Sequence, residues 1–270
     1  LQSYVSSMGK GLLDANQLGD FDRLWDYRSE WFETPNDDRN GWSGVNRLLL
    51  ALPDGEQLGF FLKRQQNYVR RTFFHPFTGE STFACEFRTI SYLLNRGVPV
   101  PRPVFFDEKS SSEGLKAILV TEELVGYRPL DAVLDAWFTQ PGSPIKAKRA
   151  LIGSVAQAVK KLHYARIQHR ALYPKHLFVN VTRPESPDVV IIDLEKARIK
   201  LMPIMRTLQD LSTLNRRMDG LSKVNRLYFF KQYYGVARLG FWTKLVCKLI
   251  LWRSRKCTKV PHASAFEPTK

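Results

Sequence analysis

His169-Arg170-Ala171-Leu172-Tyr173-Pro174-Lys175-His176 is followed, one short strand later, by Val189-Val190-Ile191-Ile192-Asp193-Leu194-Glu195. The first stretch is polar and broken by Pro174, so it reads as a loop. The second is a continuous apolar run that closes on an acid, as a buried strand does when it presents a carboxylate at its end. A loop rich in imidazole and guanidinium next to such an acid marks the place where chemistry is to be sought.

Outward from this pair the chain changes character near Val125. Before it, residues 27–32, 45–52 and 58–64 are short apolar runs. They are separated by Thr34-Pro35-Asn36-Asp37-Asp38, Gly41-Trp42-Ser43-Gly44 and Pro53-Asp54-Gly55. That spacing predicts antiparallel hairpins. Over residues 80–96, Phe83, Phe87, Ile90, Leu93 and Leu94 recur at helical spacing, and Gly97 ends the run. Val98-Pro99-Val100-Pro101 cannot continue a helix, so a strand at 104–106, a hairpin loop at 107–114 and a strand at 116–123 follow. After Val125 the periodicity is helical over 129–138 and 146–164. The reading is an N-terminal extension at 1–26, a β-rich half at 27–124, an α-rich half at 125–236 and a basic amphipathic tail at 237–270.

The 270 residues suffice for one large domain or two lobes around a cleft, and the formal charge of +15 predicts an anionic partner. Cys85, Cys247 and Cys257 lack metal-type spacing and fit a reducing compartment. The first 21 residues contain Lys10, Asp14 and Asp20 and do not read as a signal peptide. No run reaches the roughly 18 to 20 apolar residues of a spanning helix. The cytoplasm is the expected location.

Phosphoryl transfer needs a cation at the nucleotide phosphates, an acid that holds it, an acid for a metal ion and a group near the acceptor hydroxyl. Lys63 closes an apolar strand, Glu86 lies on the next helix and Asp193 ends the late strand, in that order. Protein kinases write the loop as His-Arg-Asp, four residues and Asn. Here the Asp position is Ala171 and the Asn position is His176. Gly41, Ser43 and Gly44 lie between the first two strands, where backbone amides approach phosphates, although glycines in hairpins equally serve as turn formers. The segment is not Gly-x-Ser-x-Gly, which sets a serine hydrolase aside.

With these residues placed, the chain resembles the lipopolysaccharide kinase family, which groups bacterial Kdo and heptose kinases with InaA-type proteins. The resemblance covers residues 41–235. It is carried by Phe61-Leu62-Lys63-Arg64-Gln65, His75-Pro76-Phe77, Gly97-Val98-Pro99-Val100-Pro101, Leu172-Tyr173-Pro174-Lys175-His176 and Ile192-Asp193-Leu194-Glu195-Lys196. The Leu-Tyr-Pro-Lys-His string points to the InaA-type branch. The resemblance implies an α+β, protein-kinase-like two-lobed fold, ATP and Mg²⁺ as cofactors, and a sugar of the lipopolysaccharide core as acceptor. By it Lys63 touches the phosphates, Glu86 pairs with Lys63, and Glu122, Glu123 and Leu124 form the hinge beside adenine. Asp193, with His176, holds the metal. Asp210 becomes the buried acid that ties the loop to a following helix.

Ala171 is the departure, since it has no proton acceptor where the resembling kinases carry Asp. Glu195 is the substitute base, or else a surface acid beside Lys196 and Arg198. Ala171 equally supports a pseudokinase scaffold that kept the fold and lost transfer. Lys63, Arg64, Arg70 and Arg71, interleaved with Tyr68, Phe73 and Phe74, form a basic cluster for a phosphorylated sugar or a solvated loop. Nucleic acid is the weaker partner because no finger, helix-turn-helix or aromatic RNA motif is present. The tail reads as an interfacial helix on anionic lipid at the cytoplasmic face of the inner membrane, or as a last helix with solvated cations.

Overall fold

The structure is a computed structural model and describes residues 3–38, 41–71, 77, 79–139, 144–218 and 220–256. Phe73, Phe74, His75, Pro76, Cys257 and His262 lie outside the described residues. The chain forms two compact units: Leu1–Tyr127 with Val190–Ala197, and Arg128–Val189 with Arg198–Lys270.

The first unit runs Tyr4–Val5 (β1), Ser7–Ala15 (α1), Phe21–Asp26 (α2), Trp31–Asp38 (β2), Gly41–Ala51 (β3), Gln57–Gln66 (β4), Val69–Arg70 (β5), Glu80–Ser81 (β6), Thr82–Leu94 (α3), Pro103–Ser111 (β7) and Gly114–Glu122 (β8). Six strands form an antiparallel sheet in the order β1-β7-β8-β4-β3-β2. Side chains alternate across a strand, so one set of residues meets each face. Phe60 and Leu62 of β4, Leu48 and Leu50 of β3, and Ile118 and Val120 of β8 pack against Leu12 and Leu13 of α1 and Phe21 and Leu24 of α2. Each such fully buried side chain contributes roughly 1.5–3 kcal/mol. Residues 1–26, read as an extension, thus supply part of this core. The other set of residues meets α3, where Phe87 stacks on Phe106 with ring centroids 4.5 Å apart.

Two local expectations are corrected. Residues 34–38 are strand, not turn: the register with β3 shifts between Glu33 and Asn36, and Pro35 sits in that irregularity on an edge strand, where no ladder N–H is required. The 107–114 loop shrinks to a turn at its end, because β7 and β8 stay paired out to Ser111 and Gly114.

The second unit runs Arg128–Pro129 (β9), Leu130–Leu134 (α4) with a π-helical continuation at Asp135–Thr139, Ile145–Tyr164 (α5), Ile167–Gln168 (β10), Leu177–Asn180 (β11), Asp188–Ile191 (β12), Arg198–Ile199 (β13), Pro203–Arg217 (α6), Lys223–Tyr234 (α7) and Phe241–Lys256 (α8). The last two residues of β12 already belong to the first unit. α5 buries Leu151, Ile152, Val155, Val159 and Leu162 at the spacing of one helical face. It packs on α7, and α6 packs on α8. Gly235 ends α7 in the left-handed conformation with φ 71°. Among the described residues no helix is long and apolar enough to cross a membrane.

Candidate active site

Every residue from Leu62 to Gln65 has a separate task, and the period of two along β4 divides them. Leu62 is in the core beneath α1 and α2. Arg64 points to the same side, where its guanidinium donates to the carbonyls of Trp25 and Tyr27 at 2.6 and 2.7 Å and to Asn46 Oδ1 at 2.5 Å. Burial, with a contribution from nearby Arg28, lowers Arg64 to about 10. Lys63 and Gln65 face α3. Gln65 Oε1 accepts from Thr82 Oγ1 at 2.7 Å and from the Phe83 amide at 3.2 Å, and Ser81 Oγ accepts from the Ala84 amide. These bonds satisfy donors at the start of α3 and fix that helix to β4. One turn further on, Lys63 Nζ donates to Glu86 Oε1 at 2.7 Å, with both side chains largely buried.

Burial alone would lower the Lys63 ammonium. Glu86 outweighs it through charge and hydrogen bond, and Asp193 and Glu195 add to Glu86, so Lys63 is raised above the usual lysine range. The structure thereby brings Lys63 and Glu86, 23 positions apart, together with Asp193 and Glu195, which lie more than 100 positions further along the chain.

The segment bearing Asp193 is anchored twice within the first unit. The Ile191 amide donates to the Pro99 carbonyl at 2.9 Å. Arg70 Nη1 donates to the Glu195 carbonyl at 2.7 Å. Between these anchors Asp193 takes φ 58°, a left-handed conformation that Asp tolerates better than most residues. The Gly97–Pro101 motif now has a reason. Gly97 (φ 65°) ends the turn after α3, and Pro99, lacking an amide hydrogen, offers only its carbonyl to β12. Sequence reasoning missed the Arg70 tether, since nothing in the local pattern marks a guanidinium that reaches a backbone oxygen 125 positions away.

Other expectations change. Gly41, Ser43 and Gly44 are not a free loop: they lie in the β3 ladder opposite Gln66/Asn67, Gln65 and Arg64, with Trp42 paired to Gln66. Gly44 is needed for packing, because a Cβ there would come within 2.4 Å of the Trp31 ring. Three members of the basic cluster are engaged within the protein, with Lys63 on Glu86, Arg64 in the interior and Arg70 on Glu195, while Arg71 is exposed. Glu122 ends β8, and Glu123 and Leu124 lead into a turn, their carbonyls accepting from the Val125 and Tyr127 amides. The Glu122 amide donates to the Arg102 carbonyl and the Glu123 amide to the Gly59 carbonyl, each at 3.0 Å. The Glu123 carboxylate accepts a two-pronged contact from Arg47. Among the described residues, the Leu124 amide donates to no backbone carbonyl.

In the second unit the loop is held by Asp210 of α6, which is fully buried. Asp210 Oδ2 accepts from the His169 amide at 2.7 Å and Oδ1 from the Arg170 amide at 2.9 Å. His163 Nε2 lies 3.1 Å from the same Oδ2, and its Nδ1 lies 2.7 Å from Tyr233 Oη, which also meets Thr207 Oγ1. Asp210 therefore ties the loop to its helix as the sequence reading has it. Ala171 is buried, and its carbonyl accepts from His176 Nδ1 at 2.9 Å. Donation from Nδ1 leaves the lone pair of a neutral imidazole on Nε2, the form a metal requires. Among the described residues no group of three or more His, Cys, Asp or Glu forms a ready metal nest.

Against known proteins, the profile of the Lipopolysaccharide kinase (Kdo/WaaP) family matches residues 22–233. The chain is 29% identical to Protein InaA of Escherichia coli K12 over 220 residues, 80% of this chain and 96% of that protein. It is 29% identical to the lipopolysaccharide core heptose(I) kinase WaaP of Pseudomonas aeruginosa over 182 residues, 65% of this chain and 67% of the kinase. A solved structure of WaaP in complex with acyl carrier protein superposes with a TM-score of 0.69 at 23% identity, covering 95% of this chain and 98% of that one. That likeness establishes the protein-kinase-like α+β fold.

Proposed function

The chain belongs to the lipopolysaccharide kinase (Kdo/WaaP) family, and from that premise we propose that it is an ATP- and Mg²⁺-dependent phosphotransferase acting on a sugar hydroxyl of the lipopolysaccharide core. The observation that carries the proposal is the buried Lys63–Glu86 pair under the influence of Asp193 and Glu195. A buried lysine held by a helix carboxylate, with two further carboxylates acting on the same ammonium, suits the phosphates of a metal-bound nucleotide. Mg²⁺ bound with a nucleotide needs only one or two protein carboxylates, so a nest of three is not required.

When bound, Mg²⁺-ATP supplies the γ-phosphoryl group to be transferred. Lys63 meets the phosphates and is kept charged and in place by Glu86. Asp193 would hold the metal, and for His176, which lies in the second unit, a ligand role rests on the resemblance alone. The Leu124 amide, adjoining Glu122 and Glu123, is the donor available to adenine. Glu195 is the acid proposed to take the acceptor proton in place of the missing Asp, and Arg70 positions it through its backbone. The contribution of Gly41, Ser43 and Gly44 is to form the strand pair that carries the phosphate-side hairpin.

Ala171 favours a second reading, a scaffold that binds nucleotide without transferring phosphate. The two readings share a first test: the unfolding temperature of wild type, Lys63→Ala and Asp193→Ala with Mg²⁺ and ATP. Binding to the native state alone at a hundredfold excess over Kd stabilises by about 2.7 kcal/mol. A Mg²⁺-dependent rise that both variants lose supports the nucleotide site, and absence of a rise in wild type refutes it. Phosphate transfer to purified lipopolysaccharide core then separates kinase from scaffold.

A further inference from the structure

α8 is apolar on two opposite sides. At about 100° per residue, Cys247, Ile250 and Ser254 fall together, and all three are buried. Ser254 accepts from Asn215 Nδ2 and donates to the Ser212 carbonyl of α6. On the far side Phe241, Leu245, Leu249 and Trp252 fall within an arc of about 80°, with Trp242 at its border. All five are exposed, Phe241 and Trp242 by 75% and 74%. Lys244, Lys248 and Arg255 run along one border of the arc and Arg253 lies by the other. All four are exposed, and the helix contains no acidic residue.

We propose that this outer face of α8 seats the protein on a bilayer containing anionic phospholipid, with the helix lying in the plane of the interface. A last helix with merely solvated cations needs one apolar side, and the inner one satisfies it. A second side with two Trp and a Phe exposes apolar area to water without return unless something covers it. Aromatic rings in the headgroup region, with flanking Lys and Arg on lipid phosphates, give such a helix its partner. At 16 residues it is about 24 Å long, too short to span.

Charge selects lipid over the other occupants. A second copy of the face would set cations against cations in a chain already at +15.

The test is flotation of the full chain with vesicles of phosphatidylcholine alone or mixed equally with phosphatidylglycerol. Wild type is expected to float with the mixed vesicles only, and less as salt rises. Phe241→Ser with Trp242→Ser, and separately Lys244→Glu with Lys248→Glu, should each lower partition by roughly tenfold or more. Their unfolding temperature and its response to Mg²⁺-ATP should match wild type, since the altered side chains face away from α6. Failure of wild type to float, or equal flotation of folded variants, overturns the proposal. So does a wild type that dimerises, or that binds an acidic protein but not the vesicles, through the same residues.

Discussion

In the first unit one lysine stands among three carboxylates; in the second, one carboxylate serves two backbone amides and a histidine. Glu86 bonds Lys63, and Asp193 and Glu195 act on the same ammonium. The oxygens of Asp210 are committed to holding the loop of His169 and Arg170. The difference separates chemistry from scaffolding. Under the proposed function, the groups for phosphate and metal lie in the first unit, while the second holds the loop that carries Ala171.

The sharpest way to break this contrast is Asp210→Ala. It strands the buried His169 amide, the partly buried Arg170 amide and His163, and urea unfolding should show a loss of about 3–5 kcal/mol. A loss below about 1 kcal/mol would mean that the loop does not depend on that acid. Ala171→Asp sharpens the contrast from the other side. Where wild type transfers phosphate, the variant should be equal or faster, by up to roughly 10²-fold, with the Mg²⁺-ATP thermal response unchanged. A large fall in rate would show that position 171 does not face the acceptor.

Tyr233→Phe is expected to cost about 1–2 kcal/mol at neutral pH, through its bonds to His163 and Thr207. Burial pushes Tyr233 up to about 12. Its folded pKa is raised, so the associated stability is fully present below the ordinary tyrosine value of about 10. It is lost as pH rises through about 12. Urea titrations in that alkaline window should fall steeply in wild type and less steeply in Tyr233→Phe. The smallest effect belongs to Arg70→Ala, about 1 kcal/mol, accompanied by a weaker thermal response to Mg²⁺-ATP because Glu195 loses its tether.

The strands β3, β4, β7 and β8 and the helix over residues 82–94 were legible because alternation and helical spacing both report burial directly. Lys63, Glu86 and Asp193 were legible as a set because their order along the chain matched a known chemistry. Pro35 misled, since an edge strand with a bulge tolerates the residue that elsewhere marks a turn. Gly44 misled because room for the Trp31 ring and approach to a phosphate ask for the same missing side chain. Arg64 misled because a run of cations looks like a surface until the interior carbonyls that bind one of them are known. No sequence pattern encodes a backbone carbonyl as a partner, so the anchors at Pro99 and Arg70 emerge only from the fold.

The split membership of the first unit has a consequence for synthesis. Its sheet and helices are encoded by residue 127, yet Val190–Ala197, the piece that carries Asp193, is translated only after Arg128–Val189 of the second unit. At ~5–20 residues per second the ribosome takes roughly 3 to 13 s to reach it. Throughout that interval the Pro99 carbonyl and the Arg70 guanidinium lack the partners they hold in the finished protein. The nascent first unit thus stays locally incomplete until a late segment returns to it, and the Asp193 corner of the cluster is the last to be assembled.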